Sequence, residues 1–460
     1  MIRKSLAIAW LAGVSVVAHG DATPAPPPAS VILVSLDTLR SDHLGCYGYA
    51  RPTSPRIDAF AKSATLYTRA MASSSWTLPS HASMFTGQAP FEHQAHTFLQ
   101  KGNYNVHRLA TDRVTLAEAL GGMGFETAAF AANQAFLGRH WRLDQGFATY
   151  QAERVKAREI NARALRWLDE RKGKPFFLFL NYMETHRPYD ATPQPRFIAA
   201  PVAPDEGAML DELHRVVMPA SGPLPADLAQ KVIDQYDAAI ANVDAALGEL
   251  LDRLEKDGRF KDTVIVLTSD HGEYFGEHHL VEHGKDIYQP VISVPLIIRA
   301  PGKGKGASAT AAKTIDTLMD SSDIPRLIAA HMPSGLSDRL AELFPLAPGG
   351  HPVISEIHYA LKSSVENSEW GHRLRRIRQA LFEGPWKYIQ SSDDHHELYD
   401  LSRDPGETDN LIASQPEVAA RLARQLDQWL VSRRPAAPPA PLEELDEEDL
   451  KRLKSLGYNN

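Results

Sequence analysis

The apolar positions of the chain fall into two alternating patterns. Runs with hardly a polar break, at residues 31–36, 175–180, 263–268 and 294–299, read as strands covered on both faces. Residues 65–68 and 126–131 read as two further strands. Helical patterns lie between them at 52–64, 116–123, 153–171 and about 226–256; in the third, Val155, Leu165 and Leu168 are among the apolar positions. Strands alternating with helices predict an α/β fold, with a mostly parallel central sheet sandwiched by helices. Residues 191–225 are rich in proline and read as an irregular surface excursion. Beyond about residue 345 the pattern changes to short strands near 353–356, 377–382 and 386–389, then Leu398-Tyr399-Asp400-Leu401 and a last helix at 417–432. This predicts a smaller C-terminal α+β subdomain.

Both ends of the chain differ from the middle. Arg3 and Lys4 precede an apolar run that ends in small residues near Gly20, the pattern of an export signal over residues 1–20. The run is shorter than the roughly 18 residues a membrane span needs. The chain is therefore expected to be exported, periplasmic or secreted, with no stable membrane span after processing. A Pro/Ala tether (21–30) leads to the α/β unit (31–345), followed by the C-terminal subdomain (346–434) and a linker with an acidic tail (435–460). The net charge of −8 and the absence of an arginine-rich run argue against nucleic acid as a partner. Cys46 is the single cysteine, which excludes an internal disulfide and cysteine-based zinc sites.

One stretch draws the chemistry together: Ser73-Ser74-Ser75-Trp76-Thr77-Leu78-Pro79-Ser80-His81, running on to Thr86-Gly87. Pro79 reads as the first residue of a helix and Gly87 as its stop. Thr77 then sits at the helix mouth, where unpaired N–H groups and the positive end of the dipole favour an anion. Asp37 follows the strand at 31–36, and Ser269-Asp270-His271 follow the strand at 263–268. In open α/β sheets, ligands bind at these strand ends. Two carboxylates, one hydroxyl and one imidazole (Asp37, Asp270, Thr77, His271) make a site for one divalent metal ion. A nitrogen ligand among oxygens favours zinc or manganese, with calcium the alternative.

Several ordered motifs resemble the sulfatase family of the alkaline phosphatase superfamily. They are Ser35-Leu36-Asp37-Thr38-Leu39-Arg40, Thr77-Leu78-Pro79-Ser80-His81, His186-Arg187-Pro188-Tyr189, Ser269-Asp270-His271-Gly272-Glu273, Gly276-Glu277-His278 and Glu397-Leu398-Tyr399-Asp400-Leu401 with Asp404-Pro405. The resemblance spans about residues 31–433 and implies hydrolysis of an anionic ester. Its partner would be a small anionic ester or a glycan- or lipid-linked one. Family sulfatases carry Cys or Ser at the position of Thr77, converted to formylglycine; Thr77 cannot undergo that conversion, and Cys46 lies in the wrong motif. The family arginine is replaced by His81, a second metal-binding aspartate by Thr38, and a Lys/His pair that contacts sulfate is missing around Asn133.

A threonine in this position is similar to the phospho-directed branches: phosphodiesterases, phosphonate monoester hydrolases and phosphoglycerol transferases. In some of these branches an asparagine contacts phosphoryl oxygens, which implies that role for Asn133. The resemblance also implies substrate contacts for His186 and His283, and His81 either assists as an acid/base or faces the pocket. The expected activity is hydrolysis of a sulfate or phosphate ester through Thr77. A phosphodiesterase or phosphonate monoester hydrolase, a transferase using the same intermediate, and a sulfatase-like binding protein without turnover are the alternatives.

Overall fold

The computed structural model describes residues 29–433 apart from 101, 172, 199–205, 303–312 and 346–351. The predicted export signal and acidic tail lie outside the described residues. The predicted tether gives way to structure by Ser30, the first residue of the first strand.

A nine-stranded sheet forms the centre. Its middle strands are Thr263–Thr268, Ser30–Leu36, Phe176–Tyr182 and Glu126–Ala131, adjacent in that order and parallel to one another. All residues of the strands Thr263–Thr268, Ser30–Leu36 and Phe176–Tyr182 are buried, as runs covered on both faces require. Thr149–Ala152 closes one edge. On the other side Ser293–Arg299 runs antiparallel to both of its neighbours, Thr263–Thr268 and Thr65–Met71. The sheet is thus mostly parallel and flanked by helices, as the alternation predicts.

The helix Ala226–Lys256 has the predicted bounds. Its Tyr236 hydroxyl donates to the Thr38 carbonyl (2.7 Å) and accepts the Arg40 N–H (2.8 Å), fastening the helix to the loop after the first strand. Asp244 on the same helix accepts the N–H groups of Arg56 and Ile57, capping the short helix Pro55–Ala61.

Three sequence expectations are corrected. The segment 191–225 contains a helix, Glu206–Val217. A two-stranded hairpin, Thr97–Gln100 with Asn103–Val106, was not expected. The central helix runs Thr77–Thr86, so it begins two residues before Pro79. Proline is tolerated there because the N–H groups of a first helical turn have no intrahelical partner. Gly87 ends the helix at φ +65°, as predicted.

A second sheet of four antiparallel strands (Val353–His358, Ile377–Glu383, Trp386–Ser391, Glu397–Asp400) is covered by the helix Pro416–Ser432. Leu422, Leu426 and Trp429 of the helix pack on Ile354, Leu381, Tyr388 and Leu398. The strand Val353–His358 joins this sheet to the segment entering the central helix. The Glu356 N–H donates to the Ser73 carbonyl (2.8 Å), the Ser74 hydroxyl to the Glu356 carbonyl (2.7 Å) and the Ser355 hydroxyl to the Ala72 carbonyl (2.7 Å). Among the described residues no helix is long and apolar enough to cross a membrane.

Candidate active site

The parallel register brings the C-terminal ends of four strands to one edge. Leu36 pairs with Tyr182, Ala131 with Asn181 and Ser35 with Thr268. The residues just past those ends therefore converge: Asp37, Asn133, the segment 183–186, and Asp270 with His271. The Ser269 hydroxyl ties two of these loops together, donating to the Leu36 carbonyl and accepting the Leu39 N–H. The central helix delivers Thr77 to the same edge, and its Ser80 hydroxyl donates to the Asp270 carbonyl at 2.5 Å.

Asp37, Asp270 and His271 each offer a ligand atom, all within 4.8 Å of one another, and all three side chains are fully buried. Thr77 Oγ1 lies 3.5 Å from His271 Nε2. Asn133 Nδ2 donates to Asp37 Oδ2 (2.8 Å) and lies 3.3 Å from Thr77 Oγ1. The Asn133 backbone N–H donates to Asn181 Oδ1, and Asn133 Oδ1 accepts the Phe136 N–H, which fixes the amide orientation. Four of the predicted site residues thus meet Asn133 around one point.

The electrostatics of the cluster fit a cation. Asp37 Oδ1 and Asp270 Oδ2 accept no hydrogen bond although buried. Burial, then the charge of Asp270, pushes the Asp37 carboxyl up to about 8; burial pushes Asp270 up to about 7. Two carboxylates sealed from water without a counter-charge are costly, and a divalent ion between them removes the cost. His271 Nδ1 meets the Gly272 carbonyl at 3.0 Å, which favours the tautomer with a lone pair on Nε2, the nitrogen beside Thr77 and Asp270. The donor set therefore fits one divalent metal ion.

Thr38 occupies its place at a cost. It is β-branched yet adopts φ +59°, a left-handed conformation that disfavours such residues. Its N–H donates to Asp270 Oδ1 (3.2 Å), and its hydroxyl donates to the Thr185 carbonyl (2.5 Å). The backbone of Thr38 thus steadies Asp270, while its side chain is bonded to the loop that precedes His186.

Three imidazoles stand in file beside the cluster. The His271 and His283 rings are 4.5 Å apart, and those of His283 and His186 5.0 Å. His283 Nδ1 lies 2.9 Å from Glu273 Oε1, and His186 Nδ1 lies 2.9 Å from the Arg187 carbonyl. Burial holds His186 well below the usual histidine range; burial and then Lys285 lower His283 to about 3. Burial raises Glu273 to about 8. Glu273, Asn181 and Ser269 were not among the predicted site residues. The position of Glu273 directly after Asp270-His271-Gly272 was the available signal for it.

His81 is placed differently from its neighbours. It is fully buried, with Nδ1 2.9 Å from the Thr77 carbonyl and Nε2 3.0 Å from the Ser35 hydroxyl. Both ring nitrogens are thus engaged inside the protein, and the ring braces the first turn of the central helix against the first strand.

The Sulfatase family model matches residues 29–334. The multifunctional alkaline phosphatase superfamily protein PehA of Trinickia caryophylli is 30% identical over 310 residues, covering 59% of this chain and 58% of that protein. Arylsulfatase K of Gallus gallus is 25% identical over 471 residues, covering 88% of this chain and 84% of the relative. The crystal structure of the phosphonate monoester hydrolase of Agrobacterium radiobacter shares the fold, with a TM-score of 0.66 and 21% identity over 88% of this chain and 96% of that one. Motifs, fold and family match agree, and the chain belongs to the sulfatase family of ester hydrolases, within the alkaline phosphatase superfamily.

Proposed function

We propose that the protein is a metal-dependent hydrolase that cleaves an anionic ester through Thr77. The observation that carries this reading is the placement of Thr77 Oγ1 beside a buried Asp37–Asp270–His271 cluster at the mouth of a helix. Asp37, Asp270, His271 and Thr77 would hold one divalent ion, of which zinc and manganese suit the ligand set best. Such an ion supplies Lewis acidity, lowering the pKa of the hydroxyl and drawing charge from a substrate oxygen.

The residues around it divide the remaining work. Thr77 Oγ1 attacks the central atom of the ester; the bond to the leaving alcohol breaks, and water then attacks the transferred group to free Thr77. Asn133 Nδ2 lies beside both Thr77 and Asp37, within reach of an oxygen on the transferred group. His186 and His283 line the other side. A bound anion favours their protonated forms, in which each Nε2–H donates to the substrate while Nδ1 keeps its present acceptor. His81 holds the helix turn that presents Thr77.

Thr77 also bears on the transferred group. A formylglycine hydrate can expel sulfate by collapse of its hemiacetal, whereas a threonyl ester is released only by attack at the transferred centre. Phosphoryl centres undergo that second displacement readily when clamped. We therefore place phosphate and phosphonate esters ahead of sulfate esters. Export to the periplasm or medium and the division at about residue 345 belong to the same reading.

The test is turnover of matched aryl sulfate, phosphate monoester, phosphate diester and phosphonate by metal-reconstituted protein. Wild type should hydrolyse at least one phosphorus ester. Thr77→Ala should lose about a thousandfold in kcat, the scale of removing a covalent nucleophile, and Thr77→Ser should keep part of the activity. Thr77→Ala within about tenfold of wild type would leave direct attack by water instead.

A further inference from the structure

His283 reaches the site on a segment that is gripped from the far side. Gly284, at φ +66°, donates its N–H to the Ser75 carbonyl (2.8 Å), so the segment starts against the entrance of the central helix. Residues 286–289 are each held by the second sheet or the loops beside it. Asp286 accepts Arg378 Nη1 on both oxygens (3.0 and 2.9 Å) and Arg376 Nη2 at 2.8 Å. The Ile287 carbonyl accepts Lys387 Nζ at 2.7 Å. The Tyr288 hydroxyl accepts Arg378 Nη1 (3.1 Å) and donates to Glu397 (3.1 Å). The Gln289 N–H donates to Glu407 Oε2 at 2.6 Å, and Glu407 is itself paired with Lys387.

These are buried charges. Arg378 is 1% exposed and the Lys387–Glu407 pair fully enclosed. Desolvating such groups costs enough that an apolar plug of similar volume often serves stability as well or better. What ion pairs add is directional: they fix where a backbone lies. The chain they fix carries His283, whose Nδ1 meets Glu273 and whose ring stands between His271 and His186. Reacting groups tolerate little misplacement, and a shift of about 1 Å transmitted from a distance can cost two orders of magnitude.

We propose that Arg378 is a positioning residue: by clamping Asp286 and Tyr288 it sets the segment that holds His283 against the substrate. The second sheet then takes part in hydrolysis without touching the substrate. This rests on the reading of the site given under Proposed function.

A double-mutant cycle tests it, pairing Arg378→Met with His283→Asn on the ester that wild type turns over best. Arg378→Met should lower kcat by about tenfold or more while changing KM less, and Arg378→Lys should recover part of the loss. In the His283→Asn background the same Arg378→Met change should cost less than about twofold, because its effect runs through a side chain already removed. Equal losses in both backgrounds would show general damage and overturn the proposal. Should Arg378→Met fail to fold, Tyr288→Phe and Arg378→Lys carry the same comparison, and additive losses there overturn it equally. Histidine-selective NMR gives a readout independent of turnover. Arg378→Met should shift the His283 ring resonances; an unmoved His283 overturns the proposal. Wild type that hydrolyses no ester would instead refute the functional reading, and the NMR result would still decide the positioning.

Discussion

At the scale of single residues the site is an arrangement of unmet demands. Asp37 and Asp270 each bury an oxygen without a donor, and both are held far above the ordinary carboxyl value of 3.8. The sign of the consequence is fixed. A group whose folded pKa is raised stabilises the fold below its unfolded pKa and loses that contribution as pH rises through the folded value. Metal-depleted protein should therefore lose stability between pH 3.8 and about 8, over the range of these two groups. Metal-loaded protein should not, since the ion takes the place of the protons. Thermal melts across that range, with and without chelator, check this; equal slopes would count against a metal at Asp37 and Asp270. Asp270→Ala should lose bound metal by elemental analysis, and metal content equal to wild type would mean the ligands are misassigned.

Asn133 supports a narrower prediction at the same scale. If its amide donates to the transferred group, Asn133→Ala should lower kcat by about a hundredfold, in line with removal of one preorganised donor. A change confined to KM would assign it to ground-state binding instead.

At the scale of elements, the central helix shows how much a local rule can settle. Its stop at Gly87 was legible because a left-handed C-cap suits glycine, and its start was misplaced because proline is allowed anywhere in the first turn. Gly87→Ala should destabilise the protein by about 1 kcal/mol or more, for the left-handed φ and for a Cβ only 3.2 Å from the Phe344 ring. Chemical denaturation measures this, and an unchanged midpoint would show that the helix end can rearrange. The helix Ala226–Lys256 was legible in full because its apolar stripe runs on through a stretch with no proline and a single glycine, Gly248. The helix Glu206–Val217 was not. Met209, Leu210, Leu213 and Val217 carry a helical pattern, but prolines on both sides gave the segment the composition of a loop. The hairpin from Thr97 to Val106 escaped because its strands are short and half polar.

At the scale of the whole molecule, the two sheets meet at the segment that feeds the central helix. Glu356 is the keystone: its backbone bonds Ser73 and Ser74, and its carboxylate meets the Phe91 N–H, His358 Nε2 and Gln379 Nε2. Glu356→Ala leaves those buried partners unmatched and should cost about 3 kcal/mol in unfolding free energy, measured by denaturant titration. A loss within experimental error would mean the seam holds without it. Such a seam is invisible in sequence, because Glu356 and its partners at Ser73 and Ser74 lie far apart in the chain and no local pattern links them. The Asp37–Asp270–His271 cluster was legible for the opposite reason: each of its residues follows a recognisable buried strand, and parallel strands bring their ends together. Asn181, which orients Asn133 from inside a buried strand, carries no such signature.

A nucleophilic Thr77 becomes covalently loaded during turnover. The most direct measurement is acid quench of metal-reconstituted protein during hydrolysis of its best phosphate or phosphonate ester, followed by peptide mass mapping. A transferred phosphoryl or phosphonyl group is expected on the peptide containing Thr77, absent in Thr77→Ala. An active enzyme whose Thr77 peptide stays unmodified at every quench time, with Thr77→Ala still turning over, would contradict it.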